Sequence, residues 1–231
     1  MAKPVLVAGA TGGVGKWVVQ KLLAQGTPVR VLARDFQAAR VLFSDTVEYI
    51  AGDTRQPDTL HPAVTGVQAI ICTIGAGQGI DTTNTPETVD YEGVRNLVEA
   101  AKSADVEHFI LVSSLGATQP DHMLNRMFNN ILAWKLKGED ALRASGIPYT
   151  IIRPGGLIDE PGGQQLLRVG QGDSPEFSGR ISREDVAEIC VRALEQPDAR
   201  NVTFEVISAG GPPVSDWAAL FGGLKPDTAK S

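Results

Sequence analysis

Short apolar runs alternate with segments of helical periodicity along most of the chain. The runs predict strands at 5–8, 28–33, 47–51, 69–74, 108–113, 149–153 and 202–206. The periodic segments predict helices at 13–25, 36–43, 85–104, 125–145, 183–195 and 215–221. Strands that alternate with helices are typical of βαβ units with right-handed crossovers. We therefore predict an α/β fold with a doubly wound parallel sheet.

Two polar stretches, 75–83 and 116–122, follow predicted strands and are expected to be loops. They would lie at the carboxyl ends of the strands, where open α/β sheets bind ligands. No linker or repeat divides the chain, so we predict one domain over 1–231, in which residues from about 154 onward form a short cap on the substrate side. Residues 225–231 are polar and are expected to fray.

Three glycines, in the pattern Gly9-x-x-Gly12-x-x-Gly15, join the first predicted strand to the first helix. Gly9 would make the tight turn, Gly12 would let the backbone approach a phosphate, and Gly15 would let the helix pack on the strand. The helix N-terminus would offer free N–H groups to an anion. The residues predicted to hold a dinucleotide pyrophosphate are therefore Gly9, Thr11, Gly12, Gly13, Val14 and Gly15. A sharp turn that binds nothing is the alternative.

A mononucleotide P-loop fits this stretch less well. Gly15 and Lys16 match the end of that motif, but Ala10 occupies its first glycine position. Trp17 stands where a hydroxyl would hold Mg²⁺. We therefore favour a dinucleotide over a nucleoside triphosphate.

Composition narrows the class of protein. Hydrophobic residues make up 42% and charged residues 21% of 231 residues, as in ordinary globular proteins. A net charge of −6 without a basic run argues against a nucleic-acid partner. No apolar run approaches membrane-spanning length, so no membrane partner is expected. A strand begins within the first few residues, so we expect no targeting peptide and a cytoplasmic location.

The two cysteines, Cys72 and Cys190, lie in apolar segments. Cysteines so placed are typical of small core residues in a reducing compartment. We predict neither a disulfide nor a metal site.

The end of the second strand bears on the choice of cofactor. NAD sites place an acidic residue there for the ribose hydroxyls, whereas NADP sites place an arginine nearby for the 2′-phosphate. Ala33 takes the expected position of the acid and Arg34 follows it. The alternatives are that Arg34 is a solvated turn residue and that Asp35 binds a hydroxyl or starts the next helix. NADP(H) is favoured and NAD(H) stays possible.

Further motifs carry a family resemblance. They are Ala51-Gly52-Asp53-Thr54, Val89-Asp90-Tyr91-Glu92-Gly93, Leu111-Val112-Ser113-Ser114-Leu115-Gly116, Ser145-Gly146-Ile147-Pro148-Tyr149-Thr150, Arg153-Pro154-Gly155 and Ile181-Ser182-Arg183-Glu184-Asp185-Val186-Ala187. Together with the glycine turn, they resemble the atypical short-chain dehydrogenases/reductases, in the NmrA-like NAD(P)-binding branch. Small plant and cyanobacterial members also share a stretch like 116–125. The resemblance implies a Rossmann fold.

The resemblance also implies residue roles. Asp53, beside Thr54, would bond the adenine amino group. The residues that would line the rest of the cofactor are Ile74, Gly75, Ala76, Ser113, Ser114, Pro154, Gly155 and Gly156. The alternatives are that Asp53 is a turn acceptor and that the serines merely end a strand.

Reductases of this family use Tyr-x-x-x-Lys on one helix face, where the Tyr donates a proton as the hydride arrives. Alignment on Glu139 places the Lys at Lys135 and Ile131 at the Tyr position. If Lys137 is the anchor instead, Ala133 takes that position. Lys135 would still clamp the nicotinamide ribose and Ser114 would bond a substrate oxygen. His122 is a candidate substitute acid, with a solvated loop residue as the alternative.

Three functions remain open at this point. The first is an NADP(H)-dependent oxidoreductase acting on a small molecule that the sequence does not identify. The second is a non-catalytic NADP(H)-binding redox sensor or docking module with a protein partner. A nucleotide-sugar epimerase or dehydratase is disfavoured, because those enzymes generally need the missing Tyr.

Overall fold

The computed structural model describes residues 2–77 and 83–228 and has an extended sheet at its centre. Its strands are β1 Val5–Ala8, β2 Val29–Ala33, β3 Glu48–Ala51, β4 Ala69–Cys72, β5 His108–Val112, β6 Tyr149–Pro154, β7 Gly156–Ile158, β8 Leu166–Gly170, β9 Arg180–Ser182 and β10 Val202–Ala209. Eight of them form the main sheet in the order β3-β2-β1-β4-β5-β6-β10-β8. All its pairs are parallel except β10 with β8. The predicted doubly wound α/β fold is confirmed.

The helices cover both faces of this sheet. They are α1 Gly13–Ala24, α2 Phe36–Phe43, α3 His61–Val64, α4 Val94–Lys102, α5 Met123–Met127, α6 Ile131–Arg143, α7 Arg183–Glu195 and α8 Trp217–Gly222. A π-helix, Glu87–Gly93, leads into α4, and short 3₁₀ turns lie at Pro57–Thr59 and Pro197–Ala199. Among the described residues, no helix is long and apolar enough to cross a bilayer.

Two apolar cores form because successive strand residues point to opposite faces. Val5 and Val7 of β1 face the core that contains the apolar sides of α1 and α7. Leu6 faces the core that contains those of α4 and α6. The cysteines Cys72 and Cys190 are free and buried, one in each core. The strand order reverses between β1 and β4, and the carboxyl ends of these strands therefore flank the crevice where such sheets bind ligands.

The predicted helix 125–145 is two helices. The chain breaks between α5 and α6, where Asn129 and Asn130 have φ values of 49° and 58°. Asparagine enters this left-handed region more readily than most residues. The buried Asn125 stabilises the break, since its Oδ1 accepts the N–H groups of Leu132 (2.9 Å) and Ala133 (3.3 Å) and so caps α6.

The region after Pro154 does more than cap the fold. Strands β10 and β8 extend the main sheet, and α7 packs along α1. Strands β7, β8 and β9 were not predicted, because they have only three to five residues and none is a continuous apolar run. The tail is also less frayed than expected, since Asp227 accepts from the backbone N–H and hydroxyl of Thr203. Residues 78–82 of the predicted loop and 229–231 of the tail lie outside the described residues.

Candidate functional site

The glycine turn joins β1 to α1 in a geometry that larger residues would disrupt. Gly9 has a φ of 85°, and the Gly12 N–H donates to its carbonyl at 2.9 Å. A Cβ added at Gly15 would lie 2.1 Å from the same carbonyl oxygen. Gly9 therefore makes the turn and Gly15 lets α1 approach the end of β1, as the spacing predicts.

The N-terminus of α1 suits an anion. Within α1, which is described in full, no acidic residue lies in the first turn, and Gly12 contributes no side-chain cap. The first N–H groups of a helix have no partner inside the helix, and the helix dipole is positive at this end. The turn thus fits a pyrophosphate group.

Many of the predicted cofactor residues line one cleft at the reversal of strand order. The cleft is lined by Gly9, Thr11, Gly12, Leu32, Ala33, Arg34, Gly52, Asp53, Thr54, Arg55, Thr73, Ile74, Gly75, Asn84 and Val89. Eight of these were predicted, namely Gly9, Thr11, Gly12, Arg34, Asp53, Thr54, Ile74 and Gly75. Sequence motifs more than 60 residues apart therefore meet at one site.

Two arginines, Arg34 and Arg55, line the cleft. Arg34 is exposed, and its Nη1 donates to Asn84 Oδ1 at 3.2 Å. Asp35 turns away to cap α2, since its carboxylate accepts the Ala38 N–H at 3.0 Å. This contact supports the alternative in which Asp35 starts the next helix.

Asp53 is held by Arg55, a residue that the sequence reasoning missed. The Arg55 Nη2 lies 2.6 Å from Asp53 Oδ2, and its Nε and backbone N–H also donate to this carboxylate. Burial raises the pKa of Asp53, but the hydrogen bonds and charge of Arg55 outweigh it and bring the pKa below its ordinary value. Asp53 is therefore an ionised acceptor whose orientation is set by its neighbour.

Lys135 lies close to Gly75 but outside the lining of the cleft, since a Cβ added at Gly75 would be 3.9 Å from its Nζ. Its Nζ is 2.6 Å from Asp90 Oδ1, and Asp90 Oδ2 accepts the Ala76 N–H at 3.1 Å. A Cβ at Gly138 would lie 2.6 Å from the Asp90 carbonyl oxygen, so this glycine lets α6 approach the π-helix closely. Asp90 thereby connects Lys135 to the Gly75–Ala76 backbone. The sequence signal that could have identified Asp90 was an acidic residue between apolar positions in segment 89–94.

The two predicted serines have different surroundings. Ser113 is buried, and its hydroxyl donates to Glu139 at 2.5 Å, away from the cleft. Ser114 is half-buried and donates to the carbonyl of Leu115 at 3.1 Å. The Ser113 contact corresponds to the alternative in which the serines merely end a strand. Ser114 lies at the start of the loop after β5.

The loop after β5 is anchored by a residue distant in sequence. Asp173 is buried, and its carboxylate accepts the N–H groups of Gly116 (2.6 Å) and Thr118 (2.7 Å). At the end of the loop, His122 Nδ1 accepts the Leu124 N–H at 3.2 Å and caps α5. This bond gives His122 a structural role, and its proposed acid role stays a prediction.

The remaining predicted residues lie outside the lining of the glycine-turn cleft. Pro154 ends β6. A Cβ at Gly155 would lie 2.5 Å from the carbonyl oxygen of Gly179, and the Gly156 N–H donates to that oxygen at 3.0 Å. These glycines therefore make the close backbone contact that joins β6 to the β7–β9 pair.

A parallel sheet whose first strand ends in an uncapped glycine turn at the strand-order reversal defines a Rossmann-type dinucleotide-binding protein. A model of the NAD(P)H-binding family matches residues 9–197, and the chain belongs to this family. The prediction of a nicotinamide dinucleotide cofactor is thus confirmed at the level of the family.

Similar proteins include reductases. The chain is 36% identical to sanguinarine reductase of Eschscholzia californica, over 94% of each chain. It is 32% identical to the photosystem II assembly factor Ycf39 of Trieres chinensis, over 87% of this chain and 62% of that protein. Among solved structures, the anaerobilin reductase ChuY of Escherichia coli O157:H7 superposes with a TM-score of 0.76 at 27% identity, over 92% of this chain and all of that one.

Proposed function

We propose that this protein is an NADP(H)-dependent oxidoreductase that acts on a small molecule. The observation that carries the proposal is the exposed Arg34 guanidinium beside the glycine turn, at the end of β2. The reductase activities in the names of two similar proteins support oxidoreduction.

The preference for NADP(H) follows from the charges at the adenine end. Ala33 occupies the end of β2, where NAD sites use a carboxylate, and Asp35 is engaged as a helix cap. Arg34 and Arg55 line the same cleft. Guanidinium groups bind phosphate oxygens in a bidentate manner, so this end of the cleft suits a 2′-phosphate better than a hydroxyl.

The proposed catalytic site lacks the tyrosine that reductases of this type usually have, and it uses Lys135 and Ser114. When bound, NADPH supplies the hydride. Lys135, fixed by Asp90, would hold the nicotinamide ribose, and Ser114 would hydrogen-bond the substrate oxygen. Ile131 has no proton to donate. Flavin- or quinone-type acceptors, which can take their proton from solvent, therefore suit the site better than simple ketones.

Titration of the wild type and Arg34→Ala with NADPH and NADH tests the cofactor assignment. We expect Arg34→Ala to weaken NADPH about tenfold and to leave NADH unchanged, since a charge-assisted hydrogen bond contributes about 1.5–3 kcal/mol. Arg40→Ala is the matched control, because Arg40 is exposed on α2 and pairs with Asp45. Equal losses for both nucleotides, or no loss, would contradict the 2′-phosphate assignment.

A non-catalytic NADP(H)-binding sensor or docking module is the second candidate. Ile131 at the usual Tyr position favours it, as does the similarity to a protein named for photosystem assembly. Tight NADPH binding, with NADPH oxidation at background over carbonyl, quinone and flavin acceptors, would favour this candidate. Rapid turnover with any of these acceptors would favour the oxidoreductase.

A further inference from the structure

Arg183, the first residue of α7, lies across the glycine turn. A Cβ added at Gly13 would be 2.6 Å from both Cδ and Nε of Arg183 and 3.7 Å from its Cζ. The Arg183 side chain therefore packs against Gly13, the first residue of α1, whose first turn carries the N–H groups that suit an anion. A side chain at position 13 would require the Arg183 side chain to move.

The charges around Arg183 are incompletely balanced. Its Nη1 lies 3.1 Å from Asp159 Oδ2, but the Asp159 side chain is 78% exposed, and an ion pair so hydrated contributes little. The Arg183 side chain is close to the positive end of the α1 dipole, and the fully described first turn of α1 contains no acidic residue. A cation beside a positive helix end, with a solvated carboxylate as its counter-ion, is stabilised when an anion binds between them.

We propose that Arg183 binds the pyrophosphate of the nicotinamide dinucleotide and that the pyrophosphate replaces Asp159 as its ionic partner. The inference rests on dinucleotide binding in this cleft and is independent of the preference for NADP(H). It assigns the two phosphate-bearing parts of the ligand to separate residues. Arg183 contacts the part that NAD and NADP share, and Arg34 contacts the part that distinguishes them.

Calorimetric titration of the full chain with NADPH, NADH and ADP-ribose tests this assignment. Arg183→Gln should weaken all three by a similar factor, about tenfold, because each carries the pyrophosphate. Arg183→Lys should recover part of the loss, since it keeps the charge without the planar guanidinium. Arg192→Gln is the matched control, because Arg192 lies on the same helix and pairs with Glu188 and Glu195.

The titrations separate the Arg183 assignment from the preference for NADP(H). Unchanged affinity of Arg183→Gln for all three ligands would overturn the proposal, as would a loss confined to NADPH. A loss for NADPH alone in Arg34→Ala tests the cofactor preference and leaves the Arg183 assignment unaffected. Thermal unfolding without ligand checks that each variant is folded.

Asp159→Asn tests the exchange of partners without disturbing α7. Removing the competing carboxylate should tighten NADH two- to threefold, because Arg183 then need not leave an ion pair to bind the ligand. Unchanged or weaker NADH binding by Asp159→Asn would overturn the exchange.

Discussion

Glu139 provides a direct test of the buried charges that support the site. Its side chain is fully buried, and its carboxylate accepts from Ser113, Arg143 and Arg153. The Glu139→Gln variant keeps the size of the side chain but removes its charge. The amide nitrogen of glutamine would also face guanidinium groups that are themselves donors.

The size of the expected stability loss follows from the charges that Glu139→Gln leaves without a partner. Removing one partner of a buried ion pair costs about 3–5 kcal/mol. Arg153 keeps Glu205 at 3.2 Å and Asp173 at 3.8 Å, so its charge is partly compensated. We therefore expect Glu139→Gln to lower the free energy of unfolding by about 3 kcal/mol, a large part of the total of about 5–15 kcal/mol that is usual for a domain.

Urea denaturation followed by tryptophan fluorescence measures this loss, with Asp140→Asn as the matched control. Asp140 is the adjacent carboxylate and also pairs with Arg143, at 2.8 Å, but its side chain is 45% exposed. Its loss should cost less than about 1 kcal/mol. The reasoning fails if the two variants lose the same stability, or if Glu139→Gln loses less than about 1 kcal/mol.

Three further predictions concern pH, the glycine turn and the loop. Burial lowers the pKa of His108 from 6.5 to about 4. Between these two values the folded protein binds fewer protons than the unfolded chain. The contribution of His108 to the free energy of unfolding is therefore fully present above pH 6.5, and about 3 kcal/mol of it is lost towards pH 4. Urea denaturation across this range should show a flatter dependence for His108→Gln. Gly15→Ala places a Cβ 2.1 Å from the Gly9 oxygen and should abolish NADPH binding in a titration, whereas Gly210→Ala, in open space, should not. Asn125→Ala removes the cap of α6 and the bonds from Nδ2 to the loop, so hydrogen exchange of residues 116–122 should accelerate at least tenfold; unchanged exchange would refute the anchoring role.

The parallel strands of the main sheet and the glycine turn were predictable because their determinants are local. A parallel strand covered on both faces appears as a continuous apolar run, and β1, β4 and β5 are buried at every residue. The turn depends on glycines three residues apart, and their roles follow from their spacing.

The polar framework of the site was not predictable, because its pairs join distant parts of the chain. Asp173 bonds Gly116 and Thr118 from more than 50 residues away, and Asp90 bonds Lys135 across two helices. Local periodicity carries no information on such pairs. The same holds for the contact between Gly13 and Arg183.

The break at Asn129 and Asn130 also separates two parts of the protein that can diverge independently. Before it lie the loop and α5, where Met123 and Met127 are more than half exposed; after it lies α6, which carries Lys135. Asn125 joins the two parts through backbone groups, since its side chain accepts the N–H groups of Leu132 and Ala133 and donates to the carbonyls of Gln119 and Pro120. Substitutions at the exposed Met123 and Met127 should therefore leave α6, and with it Lys135, in place.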